Sequence, residues 1–357
     1  MSLLVALGVI AVAQAVFAVM LGIFVFARRE KLLRRAATVT RSRGRVSAPL
    51  AKWLVGSGSV LPVKDALRAL PHDAALAFAS EVYDTRVPRE LRADFGAAMR
   101  DEPWANWAIA GATQRRWWRR LDAARALGIV GTRDDADILE PLLDDTHAAV
   151  RLAATQALAA VDDPDLVRLA VAHYPGETLA VRLFTTTTLR TVWQVAEGPL
   201  RDCLTSRDAS GREIAAWLAL AESLNLPSLR PAVTALVAHH DPEARAGVAR
   251  ALRRYPHAES VEAERTLLED PQDFVRAAAA QALGALRAAD AQPQLERGLS
   301  DRAWWVRFRC ALALALLGEP GRAALRRARQ SRDKFASEMA VMTSGLSEGA
   351  VLELGDV

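Results

Sequence analysis

The sequence predicts an all-α protein, an α-solenoid of about seven helical hairpins preceded by one transmembrane helix. Two observations lead to this fold class. An arginine followed seven residues later by a leucine recurs at steps of about 31 residues, and residues 3–26 carry one polar side chain, Gln14, and no charge. A period of this length is typical of stacked units that bury their apolar faces against one another.

Residues 1–27 form the predicted membrane anchor. An apolar helix over residues 3–26 spans roughly 36 Å, which is enough to cross a bilayer with some tilt. A cleaved secretory signal is the alternative, but no basic segment precedes the apolar run. The run is also longer than the roughly 7 to 15 apolar residues of such signals. We therefore expect a retained anchor.

A polybasic segment follows the anchor, within the predicted juxtamembrane linker at residues 28–60. It holds one acid, Glu30, among eight basic residues. Because cytoplasmic flanks of membrane helices are enriched in arginine and lysine, we expect the N-terminus outside and the rest of the chain in the cytoplasm. The expected contacts with anionic lipid headgroups are Arg28, Arg29, Lys31, Arg34 and Arg35.

The charge distribution disfavours a nucleic-acid-binding body. The formal net charge is 46 minus 42, or +4, and residues 28–45 contribute 8 minus 1, or +7. The remainder of the chain therefore sums to −3. A nucleic-acid binder is expected to carry its basic excess on the binding body itself.

Residues 61–111 are predicted as a helical N-terminal cap, residues 112–321 as the repeats, and residues 322–357 as a C-terminal cap and tail. In "VRLAATQAL" and "VRAAAAQAL" the apolar residues form one helical stripe. A second apolar-periodic segment precedes each stripe, so each unit is a helical hairpin. The repeating pairs are Arg120 with Leu127, Arg151 with Leu158, Arg182 with Leu189, Glu213 with Leu220, Arg245 with Leu252, Arg276 with Leu283 and Arg307 with Leu314.

The segments "DDTHAAVRLAATQAL", "EDPQDFVRAAAAQALG" and "SDRAWWVRFRCALAL" resemble HEAT repeats of the short type found in phycobilisome-lyase-like and many bacterial repeat proteins. The resemblance implies that a turn aspartate and a helix arginine bond along the stack as a ladder. It implies the fold far more than a function. The matching positions are Asp145 with Arg151, Asp270 with Arg276 and Asp301 with Arg307.

The sequence predicts no catalytic, cofactor or metal site. Its six histidines do not form an H-E-x-x-H motif, and Cys203 and Cys310 lack C-x-x-C spacing. No phosphate-binding glycine loop and no G-x-S-x-G motif occurs. We therefore expect a protein that is not an enzyme.

Two tryptophan pairs are the candidate partner-binding residues. They stand at the predicted starts of second helices, and the first pair lies within an arginine cluster. Burial would be the ordinary role of tryptophan, and packing is the favoured interpretation. Exposed tryptophan and arginine would instead form a binding hot spot. The candidates are Trp117 and Trp118 with Arg115, Arg116 and Arg119, and Trp304 with Trp305.

These observations predict a non-catalytic scaffold in a bacterial inner membrane. We expect protein partners that are themselves membrane-associated, for example a polysaccharide glycosyltransferase complex. Two alternatives come from proteins with similar repeats. A phycobilin-lyase-type enzyme is disfavoured because no thiol or acid site is evident, and a HEAT-like DNA glycosylase is disfavoured by the −3 charge of the body.

Overall fold

A computed structural model of the chain describes residues 46–356, and every regular element in this range is helical. None of the helices over these residues is long and apolar enough to cross a membrane. The predicted anchor at residues 1–27 lies outside the described residues. So do the predicted lipid contacts Arg28, Arg29, Lys31, Arg34 and Arg35.

The chain divides into two compact units, one ending at Asp162 and the other beginning at Asp163. Short 3-10 helices precede several of the α-helices. The helices of the first unit are α1 (residues 46–54), α2 (Leu61–Arg68), α3 (His72–Thr85), α4 (Arg92–Met99), α5 (Pro103–Ile109), α6 (Trp117–Val130), α7 (Ala136–Leu143) and α8 (Ala148–Val161). Those of the second are α9 (Pro164–His173), α10 (Leu179–Thr191), α11 (Trp193–Leu204), α12 (Gly211–Leu224), α13 (Arg230–Thr234), α14 (Pro242–Leu252), α15 (Ala258–Leu267), α16 (Asp273–Ala285), α17 (Gln292–Gly298), α18 (Trp304–Leu316), α19 (Glu319–Arg329), α20 (Lys334–Ser344) and α21 (Glu348–Asp356).

Helix α1 corrects the prediction of a linker over residues 28–60. Val46 and Leu50 are buried in the core of the first unit. The ring of Trp53 meets Phe95 edge-on, with 5.9 Å between ring centroids. Val46, Leu50 and Trp53 follow one another at helical spacing, so they form a stripe that a helix buries. The glycine, serine and proline residues around them obscured this pattern.

Pairs of helices in the predicted register confirm the all-α repeat fold. In most pairs the first helix packs against the second, as α7 does against α8 and α15 against α16, whereas α9 packs against α11. The second helices also stack on one another. In the first unit α6 stacks on α8, and in the second unit α12 stacks on α14, α14 on α16 and α16 on α18. Helices α19 and α20 form a further hairpin. The predicted polar tail contains helix α21, whose Val351 is largely buried.

The helix caps correct the repeat register in one hairpin. In the other hairpins the N-cap of the second helix lies four residues before the recurrent arginine, whereas the N-cap of α12 is Ser210. This places Ile214, not Glu213, at the arginine position. Burial agrees, because Ala221 is fully buried while Ala219 is exposed. Glu213 instead forms a capping box with Ser210, since its carboxylate accepts from the Ser210 amide at 2.8 Å.

Small residues let the second helices approach one another closely. Ala157, Ala282 and Ala313, each just before the recurrent leucine, are almost fully buried. A Cβ added to Gly284 would lie 2.8 Å from the Cα of Ala313, so the backbones of α16 and α18 are nearly in contact there. The alanine that recurs in the sequence therefore has a packing role in these hairpins.

Candidate functional site

A ladder of arginine–aspartate pairs joins successive hairpins. The Arg276 guanidinium forks onto Asp301 of the next turn, with Nε and one terminal nitrogen 2.8 and 2.9 Å from the two carboxylate oxygens. Arg245 makes the same fork with Asp270. In the first unit, Arg120 makes it with Asp145. We call each such pair a rung.

The rungs differ from the pairs that the resemblance implies, in which each aspartate stands six residues before its arginine in the same hairpin. Within one hairpin the arginine reaches the main-chain carbonyl of its turn aspartate, 2.8 Å away for Arg276 on Asp270 and for Arg307 on Asp301. Arg151 donates likewise to the Asp145 carbonyl at 2.7 Å. The carboxylate itself faces the preceding hairpin, whose guanidinium therefore takes both oxygens.

Each rung favours the ionised aspartate. Burial alone would raise the pKa of the Asp270 carboxyl, but the hydrogen bonds from Arg245 and the Gln272 amide hold that pKa below its ordinary value. The same balance, with Arg276 and the Ala303 amide as donors, lowers the pKa of Asp301. The turns are thus tied by charge-assisted bonds, which are stronger than neutral ones.

The first tryptophan pair is partly exposed at the start of α6. Trp117 is 38% exposed and stacks on His147, with parallel rings 3.9 Å apart. Trp118 is 47% exposed and lies 5.5 Å from the Arg116 guanidinium, in cation–π geometry. Trp117 therefore packs against the next turn, whereas Trp118 faces solvent beside exposed Arg115 and Arg116, and the binding role of the pair stays a prediction.

Arg119 does not belong to this exposed patch, which corrects its prediction as a partner-binding residue. Its guanidinium lies 3.7 Å from the ring centroid of Trp107 and donates to the Trp107 carbonyl at 2.9 Å. Only 14% of its side chain is exposed. The i,i+1 step from Trp118 turns Arg119 toward α5, so it packs the hairpin rather than facing a partner.

In the second unit, an aromatic side chain recurs at one position in three successive second helices. Phe274, Trp305 and Phe335 each occupy the second residue of their helix, α16, α18 and α20. They are 41%, 61% and 48% exposed. We call these three residues the aromatic row. Since α16 packs on α18 and α18 on α20, the row runs along one edge of the stacked helices.

Neighbouring rings fix Trp305 in the row. Trp304 stacks on Phe308 with 5.0 Å between centroids, and Trp305 meets the Trp304 ring edge-on at 4.7 Å. The Arg307 guanidinium lies 4.4 Å from the Phe335 ring centroid. Offset and edge-to-face contacts of this kind stabilise aromatic clusters and restrict their rotamers.

The sequence pattern indicates Trp305 but not Phe274 or Phe335. Trp305 is distinctive because it belongs to a tryptophan pair, whereas a single phenylalanine at the same helix position is not distinctive. Aligning the helix caps reveals the signal, because Gln272, Ala303 and Asp333 are the N-caps and the aromatic residue stands two positions after each.

Over residues 46–356 no group of three or more histidine, cysteine, aspartate or glutamate side chains is arranged to hold a metal ion. Cys310 is fully buried, and burial raises the pKa of its thiol, which disfavours the reactive thiolate. It fills the same stripe position as Ala279, which is also fully buried.

Comparison with known proteins identifies repeats in the second unit. A family model described as HEAT repeats matches residues 198–284 and 265–343. A search of curated proteins found no significant match.

Solved structures give only distant likenesses. An engineered protein is 17% identical with a TM-score of 0.35, over 80% of this chain and 94% of that one. YibA of Escherichia coli is 15% identical with a TM-score of 0.38, over 73% and 98%. Human deoxyhypusine hydroxylase, solved with glycerol, is 18% identical with a TM-score of 0.26, over 76% and 96%. Likenesses this weak carry no argument, and the similarity to HEAT repeats rests on the family-model match over residues 198–343.

Proposed function

We propose that this protein is a non-catalytic scaffold, anchored in a bacterial inner membrane by residues 3–26, that docks a protein partner on the aromatic row. HEAT repeats generally mediate protein–protein interaction. The observation that carries the proposal is the recurrence of an exposed aromatic side chain at one helix position in three successive hairpins. Tryptophan and arginine are enriched in binding hot spots, and phenylalanine is enriched in protein interfaces.

The charges beside the row indicate the chemistry of the partner. Arg302 and Arg332 are exposed in the turns directly before α18 and α20. Each stands three residues before an aromatic side chain of the row, Trp305 or Phe335. A partner segment that combines apolar side chains with carboxylates would satisfy both features, since complementary charge orients an encounter and apolar burial holds it.

The rungs support this role because they restrict the surface before binding. The rung of Arg276 with Asp301 connects the hairpins that carry Phe274 and Trp305. The rung of Arg245 with Asp270 connects the Phe274 hairpin to the hairpin before it. A surface that is already ordered loses little conformational entropy on association, which raises affinity without additional contacts.

The anchor part of the proposal rests on the sequence of residues 3–26 and on the basic residues that follow. An anchored scaffold shares a surface with its partner, so their effective concentration is higher than in solution. This arrangement suits a membrane-associated partner with the repeats on the cytoplasmic side.

Photo-cross-linking tests the docking surface. A benzophenone amino acid replaces Phe274 or Trp305 in the full-length protein in cells, and the matched control replaces Phe184, which is 44% exposed on α10. We expect one protein to be cross-linked from both row positions and not from residue 184. Phe335→Ala should then weaken the cross-link. Equal cross-linking from all three positions, or a cross-link that Phe335→Ala leaves unchanged, would contradict the proposal.

The anchor is tested separately by washing isolated membranes at alkaline pH. Retention of the full-length chain in the pellet is expected, because a spanning helix inserts almost irreversibly. Release into the supernatant would contradict the anchor and leave the docking surface to its own test. Protease digestion of inverted vesicles should cleave the repeats and would detect the opposite orientation.

A further inference from the structure

A pocket of about 470 Å³ lies at the C-terminal end of the second unit. Its walls come from the ends of α16 and α18, from α19, and from the end of α20 together with α21 and the segment between these two helices. This volume is within the range of small-molecule sites, roughly 300 to 1,000 Å³. Helix α18 spans about 20 Å, so the pocket and the aromatic row occupy opposite ends of the same helices.

Part of the pocket lining is rich in arginine. Arg322, Arg326 and Arg329 follow one another at helical spacing on one face of α19, and Arg287 lines the pocket from the end of α16. Of the acidic residues, Glu348 also lines it.

A second acid partly neutralises these arginines. Glu319 bonds Arg326 at 2.5 Å and Arg322 at 3.3 Å. Four arginines against Glu319 and Glu348 leave an excess of +2. Because the pairs made by Glu319 are exposed, they contribute little and an incoming anion can replace them.

Arg287 occupies a backbone conformation that arginine rarely adopts. Its φ is 51°, in the left-handed region, just after α16 ends. At the corresponding place after α18 the chain has Gly318, with φ 73°. Glycine accepts this conformation without strain, whereas an arginine there is unfavourable by itself. The strained position directs a fourth guanidinium to the pocket, with one nitrogen 3.5 Å from the Leu316 carbonyl.

Another part of the pocket lining is apolar. Leu316, Leu325, Val351 and Leu352 contribute to its lining, and Leu352 is 53% exposed. Thr343 also contributes, and its hydroxyl is buried without a hydrogen-bond partner among the described residues. A buried hydroxyl is normally bonded, so a polar ligand group would satisfy it.

We propose that this pocket binds a small anionic amphiphile, a phosphate-type headgroup attached to a short hydrocarbon segment. Guanidinium groups bind phosphate through paired, charge-assisted hydrogen bonds, which accounts for the arginine side. The leucine and valine side chains would cover the hydrocarbon segment. The headgroup could be supplied by a membrane lipid or by a soluble molecule of the same chemistry, and the inference holds independently of the partner proposed for the aromatic row.

Calorimetric titration of the full-length protein, held in nanodiscs of zwitterionic lipid, tests the proposal. The probes are hexyl phosphate, inorganic phosphate and hexanol, each corrected by titration into empty nanodiscs. We expect hexyl phosphate to bind, inorganic phosphate to bind more weakly, and hexanol not to bind. Absence of hexyl phosphate binding would overturn the proposal.

Matched variants separate the pocket from general charge. Arg322→Gln with Arg329→Gln should weaken hexyl phosphate binding by about tenfold or more, since each lost bond to a charged group is worth roughly that factor. Arg212→Gln with Arg250→Gln removes two exposed arginines on other helices and should leave binding unchanged. Equal losses in both pairs, or no loss in the first, would overturn the proposal.

Leu352→Ser tests the apolar side, and it should weaken hexyl phosphate binding several-fold while leaving inorganic phosphate unchanged. The same loss for both probes would contradict an amphiphile. Adding phosphatidic acid to the nanodiscs then separates the two sources. If phosphatidic acid weakens hexyl phosphate binding, the ligand is a lipid headgroup. If hexyl phosphate binding is unchanged, the ligand is a soluble molecule, and both results support the shared chemistry.

Discussion

Replacing Glu264 with leucine is expected to stabilise the protein. Glu264 lies in the first helix α15, twelve residues before Arg276, and it is fully buried. The residues at the same distance before Arg151, Arg245 and Arg307 are Leu139, Val233 and Leu295. Each of these three side chains is fully buried. A carboxyl group therefore occupies a core position that its counterparts fill with a hydrocarbon side chain.

The magnitude follows from what surrounds the carboxyl group. Neither of its oxygens has a hydrogen-bond partner among the described residues. Relieving an unsatisfied buried polar group contributes about 1 to 3 kcal/mol, and burying a leucine side chain contributes about 1.5 to 3 kcal/mol. Allowing for repacking, Glu264→Leu should stabilise the fold by roughly 2 to 4 kcal/mol near pH 5.

The gain should increase with pH. Burial raises the pKa of Glu264 well above its ordinary value. Between the unfolded and folded pKa values the folded state binds more protons, so the stability of the unmodified protein falls as pH rises through that window. Leucine does not titrate, so Glu264→Leu exceeds the unmodified protein by more at about pH 7.5 than at about pH 5. Glu264→Gln should remove this pH dependence without the apolar gain.

Urea unfolding of the full-length protein in a non-ionic detergent, followed by far-ultraviolet circular dichroism at both pH values, measures the shift in midpoint. The midpoint is the appropriate readout because long repeat arrays need not unfold in two states. Glu262→Leu is the control, since Glu262 lies on the same helix with 72% of its side chain exposed. A Glu264→Leu midpoint that is unchanged, or raised equally at both pH values, would refute the reasoning.

Two further predictions concern packing and the ladder. Gly321→Ala should lower the free energy of unfolding by about 1 to 3 kcal/mol, because the added Cβ would overlap the Leu314 carbonyl oxygen. The control is Gly349→Ala, which should leave stability unchanged because the space around Gly349 is open. Thermal unfolding measures both variants. Arg276→Ala should lower stability by about 2 to 4 kcal/mol at neutral pH, because the Asp301 carboxylate loses its guanidinium. The stability lost on Arg276→Ala should shrink as pH falls through the lowered pKa of Asp301, because a protonated Asp301 no longer needs the guanidinium. Urea unfolding at several pH values measures this loss, and an equal loss at every pH would contradict the prediction.

The sequence was sufficient for the repeat fold because every hairpin repeats the same stripe of apolar residues. It was less informative where a local pattern had two meanings. Glu213 fits the arginine spacing, but the Ser210 cap shifts the register by one residue. The rungs also needed coordinates, because the spacing within a hairpin does not show which hairpin's arginine faces the Asp270 carboxylate.

The arginine pocket lay beyond sequence reasoning for a related reason. Arg287, Arg322 and Thr343 come from three separated segments, and only the packing of α16, α19 and α20 on α18 brings them to one place. Glu264, in contrast, could have been found from the sequence by comparing every position at a fixed distance before the recurrent arginine.

The missing rung at Ile214 has a consequence for cooperativity. Each rung belongs to two hairpins at once, so it contributes to the coupling between neighbours rather than to the stability of either alone. Where Ile214 replaces the arginine, that coupling depends on apolar packing and on the bond from Arg253 to Glu222 at 2.7 Å. Local opening should therefore propagate through the rung-linked hairpins α13 to α18 as one block and stop more readily at α12. The ladder thus sets the size of the segment that unfolds together.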